Sequence, residues 1–234
     1  GFYVTSHPLR DVESLFQSYI TLDTQTIRSA QDKSNGMMGG LVSKVRMMVT
    51  KSGPNAGSKW AILLIEDLVG TMEVVLYSNE YQRFADVIKP DAVLFFEGQV
   101  DKTRADPSLK AREVYTLESV QKKKTREILV QTNSMKLDEG TLAAVGKLMK
   151  EHKGNTQGEL ELCDLAVSAA SGGVRVQVQL GGGVNMQNGG VEALRLLFGE
   201  QQVMPLGPNR KVKRAAPATS PEALLTPSDE LAEV

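Results

Sequence analysis

The feature that most constrains this chain is an alternation of apolar and polar residues that runs from Gly39 to Val120. A period of two residues is typical of a strand that buries one of its faces. Stretches rich in Gly, Pro, Asn and Asp interrupt the alternation at 51–58, at 67–70 and at Asp106-Pro107, and they predict turns. The segment therefore predicts a series of strands joined by turns. The predicted strands are 41–49, 59–66, 71–77, 92–100 and 110–118.

One helix is predicted between the third and fourth strands. Ser78 is a suitable N-cap, Tyr81 and Phe84 follow at helical spacing through Ile88, and Lys89-Pro90-Asp91 ends the helix. Three consecutive strands, a helix and two further strands are the order of an OB-fold, a barrel that closes on itself and leaves no long free edge. We therefore predict a five-stranded OB-fold β barrel.

The segments that flank the barrel divide the rest of the chain. Residues 1–38 read as a lead-in helix and linker, because apolar residues recur at helical spacing in 9–20, after Pro8. The barrel is assigned to 39–124. Residues 207–234 are rich in Pro, Ala and Ser and lack apolar periodicity, which predicts a disordered tail.

A second unit is predicted at 125–206. Its order is β-α-β-β-α-β, which is that of a ferredoxin-like α+β domain. The first helix has an apolar side formed by Leu142, Val145, Leu148 and Met149. The predicted elements are a strand at 127–131, a helix at 138–152, strands at 159–167 and 173–180, a helix at 189–198 and a last strand at 202–204.

Composition excludes several classes of protein. A formal net charge of −1 does not fit a generally cationic DNA coat or a strongly acidic mimic. A single cysteine, Cys163, excludes an internal disulfide and a Cys-rich zinc site, and two distant histidines, His7 and His152, argue against a His-based metal centre. We therefore expect no metal and no cofactor.

The chain also lacks the signals of export. No apolar run approaches the ~20 residues that cross a bilayer, and no signal segment opens the chain. We expect no membrane contact and a cytoplasmic location. The first residue is Gly1 and not Met, which predicts a piece of a longer protein.

The motifs of common enzymes are missing from the sequence. It has no phosphate-binding loop, no H-E-x-x-H and no nucleophile elbow. Glu66-Asp67 is the best candidate for a catalytic carboxylate pair, but adjacent strand residues point to opposite faces and do not converge simply on one ion. A turn role at the strand end fits better, and we expect no catalytic residue in this chain.

The best functional signal is a basic segment next to aromatic residues. Four cations and no acid occur between residues 44 and 59. If Ala61, Leu63 and Ile65 face the barrel core, alternation turns their neighbours outward. Cations for phosphates and flat rings for unstacked bases are what single-stranded nucleic acid requires. The predicted contact residues are Lys44, Arg46, Lys51, Lys59, Trp60, Ile62 and Tyr77.

Two other interpretations of these residues remain open. The basic segment reads equally as a solvated loop with its flanks. The lead-in helix or the second unit would remove the binding surface if either covered Trp60 and Tyr77. Of these interpretations, we favour binding of single-stranded nucleic acid.

The same residues carry a resemblance to a known family. Residues 1–9, GFYVTSHPL, resemble the G-F-Y-x-S-x-H-P-L segment of bacterial DNA polymerase III alpha subunits. Residues 42–51 resemble the first strand of that family's OB domain, and the similarity continues through 65–75 and 94–98. Together these motifs cover roughly 1–120 in a consistent order. The order of elements in the second unit is similar to that of the family's C-terminal region.

The resemblance implies a C-terminal, non-catalytic fragment of a replicative DNA-directed DNA polymerase, a nucleotidyltransferase. In the family, the OB domain contacts single-stranded template, and the terminal region binds the tau subunit of the clamp loader within the replisome. This sequence departs from the family in strand two, at Trp60 and 62–65, and in an enlarged loop at 53–57. The alternatives are an OB domain that delivers substrate to a nuclease-like or tRNA-synthetase-like enzyme, and a purely structural interaction module.

Overall fold

The barrel predicted from the alternation is present. The computed structural model describes residues 13–132, 137–164 and 174–209. Five strands form a closed barrel in the order β1-β2-β3-β5-β4, which confirms the OB-fold. The strands are β1 (Asn35–Val49), β2 (Lys59–Glu66), β3 (Thr71–Leu76), β4 (Val93–Asp101) and β5 (Ser108–Thr116).

The first strand closes the barrel because it is long enough to pair on both sides. Residues 35–41 of β1 pair with β4, and residues 41–49 pair with β2. The other seam is a short parallel pairing of β3 with β5, in which Val74 lies opposite Leu109. The alternation in β2 is as predicted, since Ala61, Leu63 and Ile65 are all buried in the core.

A β-bulge changes the predicted faces of β1. The register with β2 shifts between Val42 and Lys44, so the extra residue, Ser43, moves the alternation by one. Val42 is therefore fully buried, and Leu41, predicted to share the inner face with Val45, is only partly buried. Met47 was also predicted to face the core, but it is 42% exposed.

The end of β1 is exposed because it projects beyond the closed part of the barrel. Residues 48 and 49 pair only with Trp60 and Lys59, and β3 joins β2 from Ala61 onward. Val49, predicted to be inward-facing, is 55% exposed as a result. The β1–β2 hairpin is therefore an arm with two accessible faces.

The helix between β3 and β4 is shorter than predicted. Helix α3 (Ser78–Phe84) begins at the residue that we expected to be its cap. Tyr77 occupies the N-cap position and accepts no side-chain cap hydrogen bond there. The helix ends before Ile88, although Ile88, Tyr81 and Phe84 all pack against the barrel core as the spacing indicated.

Three further helices pack against the barrel. They are α1 (Glu13–Tyr19), α2 (Thr26–Ser29) and α4 (Leu117–Lys124). Phe16 of α1 packs on Phe95 of β4, with 4.8 Å between the ring centroids. Helix α4 starts at Leu117, where the sequence predicted that strand five continues to 118. The Thr116 hydroxyl caps the helix by accepting a hydrogen bond from Ser119 N–H. The GFYVTSHPL segment and the start of the predicted lead-in helix lie outside the described residues.

The second unit has the predicted order of elements but not the predicted sheet. Its strands lie in the order β8-β7-β6-β9, with β6 and β7 adjacent and parallel. A ferredoxin-like split β-α-β places another strand between the two that the helix joins, so that prediction is wrong. Instead, β6 and β7 form a β-α-β unit of adjacent parallel strands, and β8 pairs antiparallel with β7. The elements are β6 (Glu127–Thr132), α5 (Glu139–Glu151), β7 (Lys153–Asp164), β8 (Val174–Val184), α6 (Gly190–Phe198) and β9 (Val203–Leu206).

Helix α5 buries only part of its predicted apolar side. Asp138 caps it by accepting a hydrogen bond from Thr141 N–H, and Val145 and Leu148 are buried in the core of the second unit. Leu142 was assigned to the same side but is 51% exposed, because it lies in the first turn, beyond the edge of that core.

The chain after β9 remains held against α1. Gly207 N–H donates to the Ser18 hydroxyl at 3.0 Å, and Asn209 N–H donates to the Ser18 carbonyl at 2.9 Å. Residues 207–209, which the sequence assigned to the tail, thus form hydrogen bonds with α1. The rest of the predicted tail lies outside the described residues. None of the described helices is long and apolar enough to span a membrane.

Candidate nucleic-acid interface

Trp60 and Tyr77 lie side by side at one end of the barrel. Their ring centroids are 6.3 Å apart and their planes differ by 32°. Trp60 is near the start of β2, and Tyr77 directly follows β3, its neighbour in the sheet. Tyr77 is 50% exposed and Trp60 is partly exposed, so both rings are accessible to a ligand.

The two rings line an open groove of about 600 Å³. One side of the groove is formed by the end of β1 and the β1–β2 loop, and the other side by the first turn of α3. All of its lining residues come from the barrel and none from α1 or the second unit. The described structure therefore leaves these rings uncovered. The lining residues are Met48, Val49, Thr50, Lys51, Asn55, Trp60, Tyr77, Ser78, Asn79 and Glu80.

The β1–β2 loop holds Lys51 beside the rings. Thr50 N–H donates to the Ser58 carbonyl at 3.0 Å, and Gly57 N–H donates to the Thr50 carbonyl at 2.8 Å, so the base of the loop is closed. Gly53 and Gly57 have φ angles of +88° and +84°, a region that favours glycine. This backbone makes the turn that returns the chain toward Trp60.

Two further predicted cations share the outer face with the rings. Lys44 and Arg46 alternate with Val45 on β1 and are both exposed. Within 13–132, 137–164 and 174–209, neither of them nor Lys51 forms an ion pair. Their positive charge is thus available to an external anion along the part of β1 that leads to the groove.

The structure separates Lys59 from the other predicted contacts. Lys59 precedes Trp60 on β2 and therefore projects from the opposite face. It lines a different opening of about 650 Å³ with Tyr81 and Gln82, on the α3 side of the loop. The sequence placed Lys59 with the other cations only because it is close to them along the chain.

Ile62 was predicted to be part of the contact surface but is buried. It projects outward from the barrel core, as expected, yet only 6% of its surface is exposed. Its neighbours across the strands are Arg46 and Val75. Long side chains such as arginine cover apolar surface with their aliphatic portions, so an outward strand position does not ensure exposure.

Lys110 belongs to the same outer face and was missed. It lies opposite Val75 in the parallel β3–β5 pairing. Its Nζ is 2.9 Å from Asp101 Oδ2. The hydrogen bond with that carboxylate raises the pKa of Lys110, and burial opposes this shift. Tyr77 also raises the pKa, by a smaller amount. Alternation in β5 turns Lys110 outward, but only closure of the barrel brings it near Tyr77.

The carboxylate of Asp67 is held in the turn that follows β2. Its carboxylate is buried and accepts hydrogen bonds from Thr24 N–H at 2.8 Å and from the Thr24 hydroxyl at 3.0 Å. It also accepts from Val69 N–H and Gly70 N–H, both at 2.8 Å. Across the described residues, no group of three or more His, Cys, Asp or Glu side chains is arranged to hold a metal ion.

Comparison with known proteins agrees with this fold. Residues 38–117 match the family model described as tRNA_anti-codon, an OB-fold nucleic acid binding domain. The barrel is therefore of the OB-fold class, and the model that it matches describes nucleic-acid-binding domains of that class.

The chain is also similar to part of the DNA polymerase III alpha subunit. It is 27% identical to that of Vibrio cholerae over 158 residues, which are 67% of this chain and 13% of the relative. It is 23% identical to that of Pseudomonas aeruginosa over 207 residues, which are 87% of this chain and 16% of the relative. The chain thus spans a small fraction of the curated relatives that it matches.

Among solved structures, the mitochondrial single-stranded DNA binding protein Rim1 of S. cerevisiae aligns with this chain. The identity is 13%, and the match covers 37% of this chain and 96% of Rim1 with a TM-score of 0.30. A likeness at this level supports no argument about function.

Proposed function

We propose that the barrel binds single-stranded nucleic acid in the groove beside Trp60 and Tyr77. The observation that carries this proposal is the pair of exposed rings, 6.3 Å apart, in one groove with Lys51. Unstacked bases bind such rings by stacking, whatever their sequence, and each stacked base contributes about 1–3 kcal/mol. A duplex keeps its bases stacked on one another and gains nothing from the rings.

The sugar-phosphate backbone follows the cationic side of the groove. Lys51 contacts a phosphate next to the stacked bases, and Arg46 and Lys44 extend the contact along β1. Each phosphate that is neutralised releases counterions, so the affinity falls as salt is added. Lys59 is at most a peripheral contact, since it projects from the other face of the hairpin. With two rings in the groove, we expect micromolar or weaker affinity for a short oligonucleotide.

The similarity to DNA polymerase III alpha subunits supports a role in DNA replication. On this proposal, the chain is a C-terminal portion of a replicative polymerase in the cytoplasm, and single-stranded template is the ligand of its barrel. Polymerase activity belongs to other parts of the longer protein. The second unit is then the region that binds replisome proteins, among them the tau subunit of the clamp loader.

RNA is the alternative ligand. The family model that matches 38–117 is described as tRNA_anti-codon, and this description favours an OB domain that presents RNA to a separate enzyme. DNA and RNA strands of equal length and sequence discriminate between the two roles, because a template-binding barrel has no need to contact the 2′-hydroxyl.

The test uses the single tryptophan of the chain as its probe. We expect a short single strand to quench the fluorescence of Trp60, and a duplex of the same length to quench it much less. Fluorescence anisotropy of a labelled strand gives the affinity of the same protein and of a Trp60→Ala variant. An unquenched Trp60 in the presence of bound strand would contradict the proposal.

A further inference from the structure

We infer that the groove discriminates between bases and that Glu80 is the residue responsible. The groove favours cytosine and adenine, which carry an exocyclic amino group on C4 or C6. It disfavours uracil and thymine, which carry a carbonyl oxygen on C4. This inference rests on the proposed function, because it concerns the edge of a base stacked on Trp60 or Tyr77.

Glu80 lines the same groove as the two rings and is only partly exposed. It lies in the first turn of α3, three residues after Tyr77. Within the described residues its carboxylate forms no ion pair. Other carboxylates of the barrel wall are neutralised, since Glu73 pairs with Arg104 and Glu113 pairs with Arg83.

An anionic group is unexpected in a groove that binds a polyanion. It repels phosphates, so it does not serve affinity for the backbone. A carboxylate in such a position serves instead as a hydrogen-bond acceptor with no donor of its own. The exocyclic amino groups of cytosine and adenine are donors that suit it. Uracil and thymine have the acceptor O4 at that position, and their ring N3–H donor lies between two carbonyl oxygens that repel a carboxylate.

The positions of the charges fix how a strand lies in the groove. Lys51 is on the β1–β2 loop that leads to Trp60, and Glu80 is on the first turn of α3 that follows Tyr77, so the two charges belong to different elements of the groove lining. Phosphates are attracted to Lys51 and repelled by Glu80. A base stacked on the rings therefore extends from the Lys51 side and directs its edge toward Glu80.

Two amide side chains complete the set of polar groups at the base edge. Asn55 on the loop and Asn79 on α3 line the groove and are both exposed. An amide both donates and accepts, so these residues adapt to any base. Glu80 alone has a fixed acceptor character, and for this reason we assign the discrimination to it.

The experiment compares two strands that differ only at the pyrimidine edge. Labelled oligo(dC) and oligo(dU) of twelve nucleotides are titrated into the parent protein and into Glu80→Gln. Because a single solvent-accessible hydrogen bond distinguishes the two strands, we expect the parent to bind oligo(dC) roughly three- to tenfold more tightly. Glu80→Gln, which both donates and accepts, should bind oligo(dU) more tightly than the parent and bring the ratio close to one.

Asp86→Asn is the matched control. It removes one negative charge close to α3 from an exposed residue that does not line the groove. Its effect on affinity is expected to be the same for both strands, with the dC/dU ratio unchanged.

The outcomes separate this inference from the proposed function. Equal affinity of the parent for both strands, with Trp60 quenched by each, would overturn the inference and leave single-strand binding intact. If Glu80→Gln increased the affinity for both strands equally, Glu80 would act only by repelling phosphates. That result would also overturn the inference. Failure of both strands to bind would contradict the proposed function itself.

Discussion

The hydroxyl of Tyr19 in α1 and the hydroxyl of Thr125 after α4 share a hydrogen bond of 2.6 Å, although 106 positions separate the two residues. Tyr19 also donates to the Pro205 carbonyl in β9 at 3.2 Å, and its side chain is fully buried. One residue of the lead-in helix thus joins the exit of the barrel to the last strand of the second unit.

We predict that Tyr19→Phe lowers the free energy of unfolding by about 1–3 kcal/mol. The change keeps the buried ring but leaves the Thr125 hydroxyl without its partner in the described structure, and an unsatisfied buried polar group has a cost of this size. Urea denaturation followed by circular dichroism measures the effect. Tyr81→Phe is the control, because no hydrogen bond of the Tyr81 hydroxyl is found among the described residues; an equal loss there would contradict the assignment.

Alkaline pH should destabilise the fold through the same residue. Burial raises the pKa of Tyr19 to about 12, although the hydrogen bond with Thr125 opposes this. An unfolded tyrosine titrates near pH 10, so the stability that Tyr19 contributes is complete below that pH and is lost as the pH rises to about 12. A shift of this size corresponds to about 2–3 kcal/mol.

The measurement is the difference in stability between the parent and Tyr19→Phe at a series of pH values. Other tyrosines and lysines titrate in both proteins and cancel in that difference. We expect the gap between the two proteins to shrink as the pH rises from 10 to 12. A constant gap would mean that the pKa of Tyr19 is the same in the folded and the unfolded protein, which would contradict the effect of burial.

Asp67 is expected to act on stability and not on chemistry. In Asp67→Asn, an amide donor replaces an oxygen that faces the N–H groups of Thr24, Val69 or Gly70, and we expect a loss of about 2–4 kcal/mol. The parent should not extend a primer in the presence of nucleotides and Mg²⁺. Primer extension that disappears in a folded Asp67→Asn or Glu66→Gln protein would restore the catalytic interpretation.

Two glycines should respond to alanine in opposite directions. A Cβ at Gly98, where the β4–β5 register shifts, would collide with the Lys110 carbonyl oxygen and come within 2.8 Å of the Ala111 Cα. Because these contacts are backbone atoms, we expect Gly98→Ala to cost at least about 1–3 kcal/mol. Gly146 lies inside α5 with no atom near such a Cβ, so Gly146→Ala should gain about 0.5–1 kcal/mol from helix propensity. Thermal unfolding of both variants, followed by circular dichroism so that both units contribute to the signal, checks both signs.

Charge and stacking should separate in the binding data. Lys51→Gln is expected to reduce the slope of log affinity against log salt by roughly 0.7, the value for one phosphate contact on a single strand. Trp60→Ala should cost about 1–3 kcal/mol of binding with that slope nearly unchanged. Lys59→Gln, on the other face of the hairpin, is the control for Lys51 and should change the slope less. A folded Trp60→Ala protein that binds as tightly as the parent would remove the stacking role.

The local pattern of the sequence determined the elements of the barrel. Alternation and turn residues are properties of neighbouring residues, and they predicted β2 at 59–66 with the bounds that the structure has. They also turned Trp60 and Tyr77 to one side, because β2 and β3 are adjacent and antiparallel. The same reasoning succeeded for the order of elements in the second unit.

Tertiary structure decided what depends on distant pairing. The bulge at Ser43 moved Leu41 away from the inner face, Ile62 became buried between its cross-strand neighbours, and Lys110 reached Tyr77 only through barrel closure. The adjacency of β6 and β7, which excludes the ferredoxin-like sheet, also depends on tertiary structure, because the same four strands can be arranged in more than one order in a sheet. Alternation assigns the face of a side chain in a strand without a bulge, but bulges, exposure and proximity depend on which strands meet. Those pairings are set by the free energy of the whole packed core.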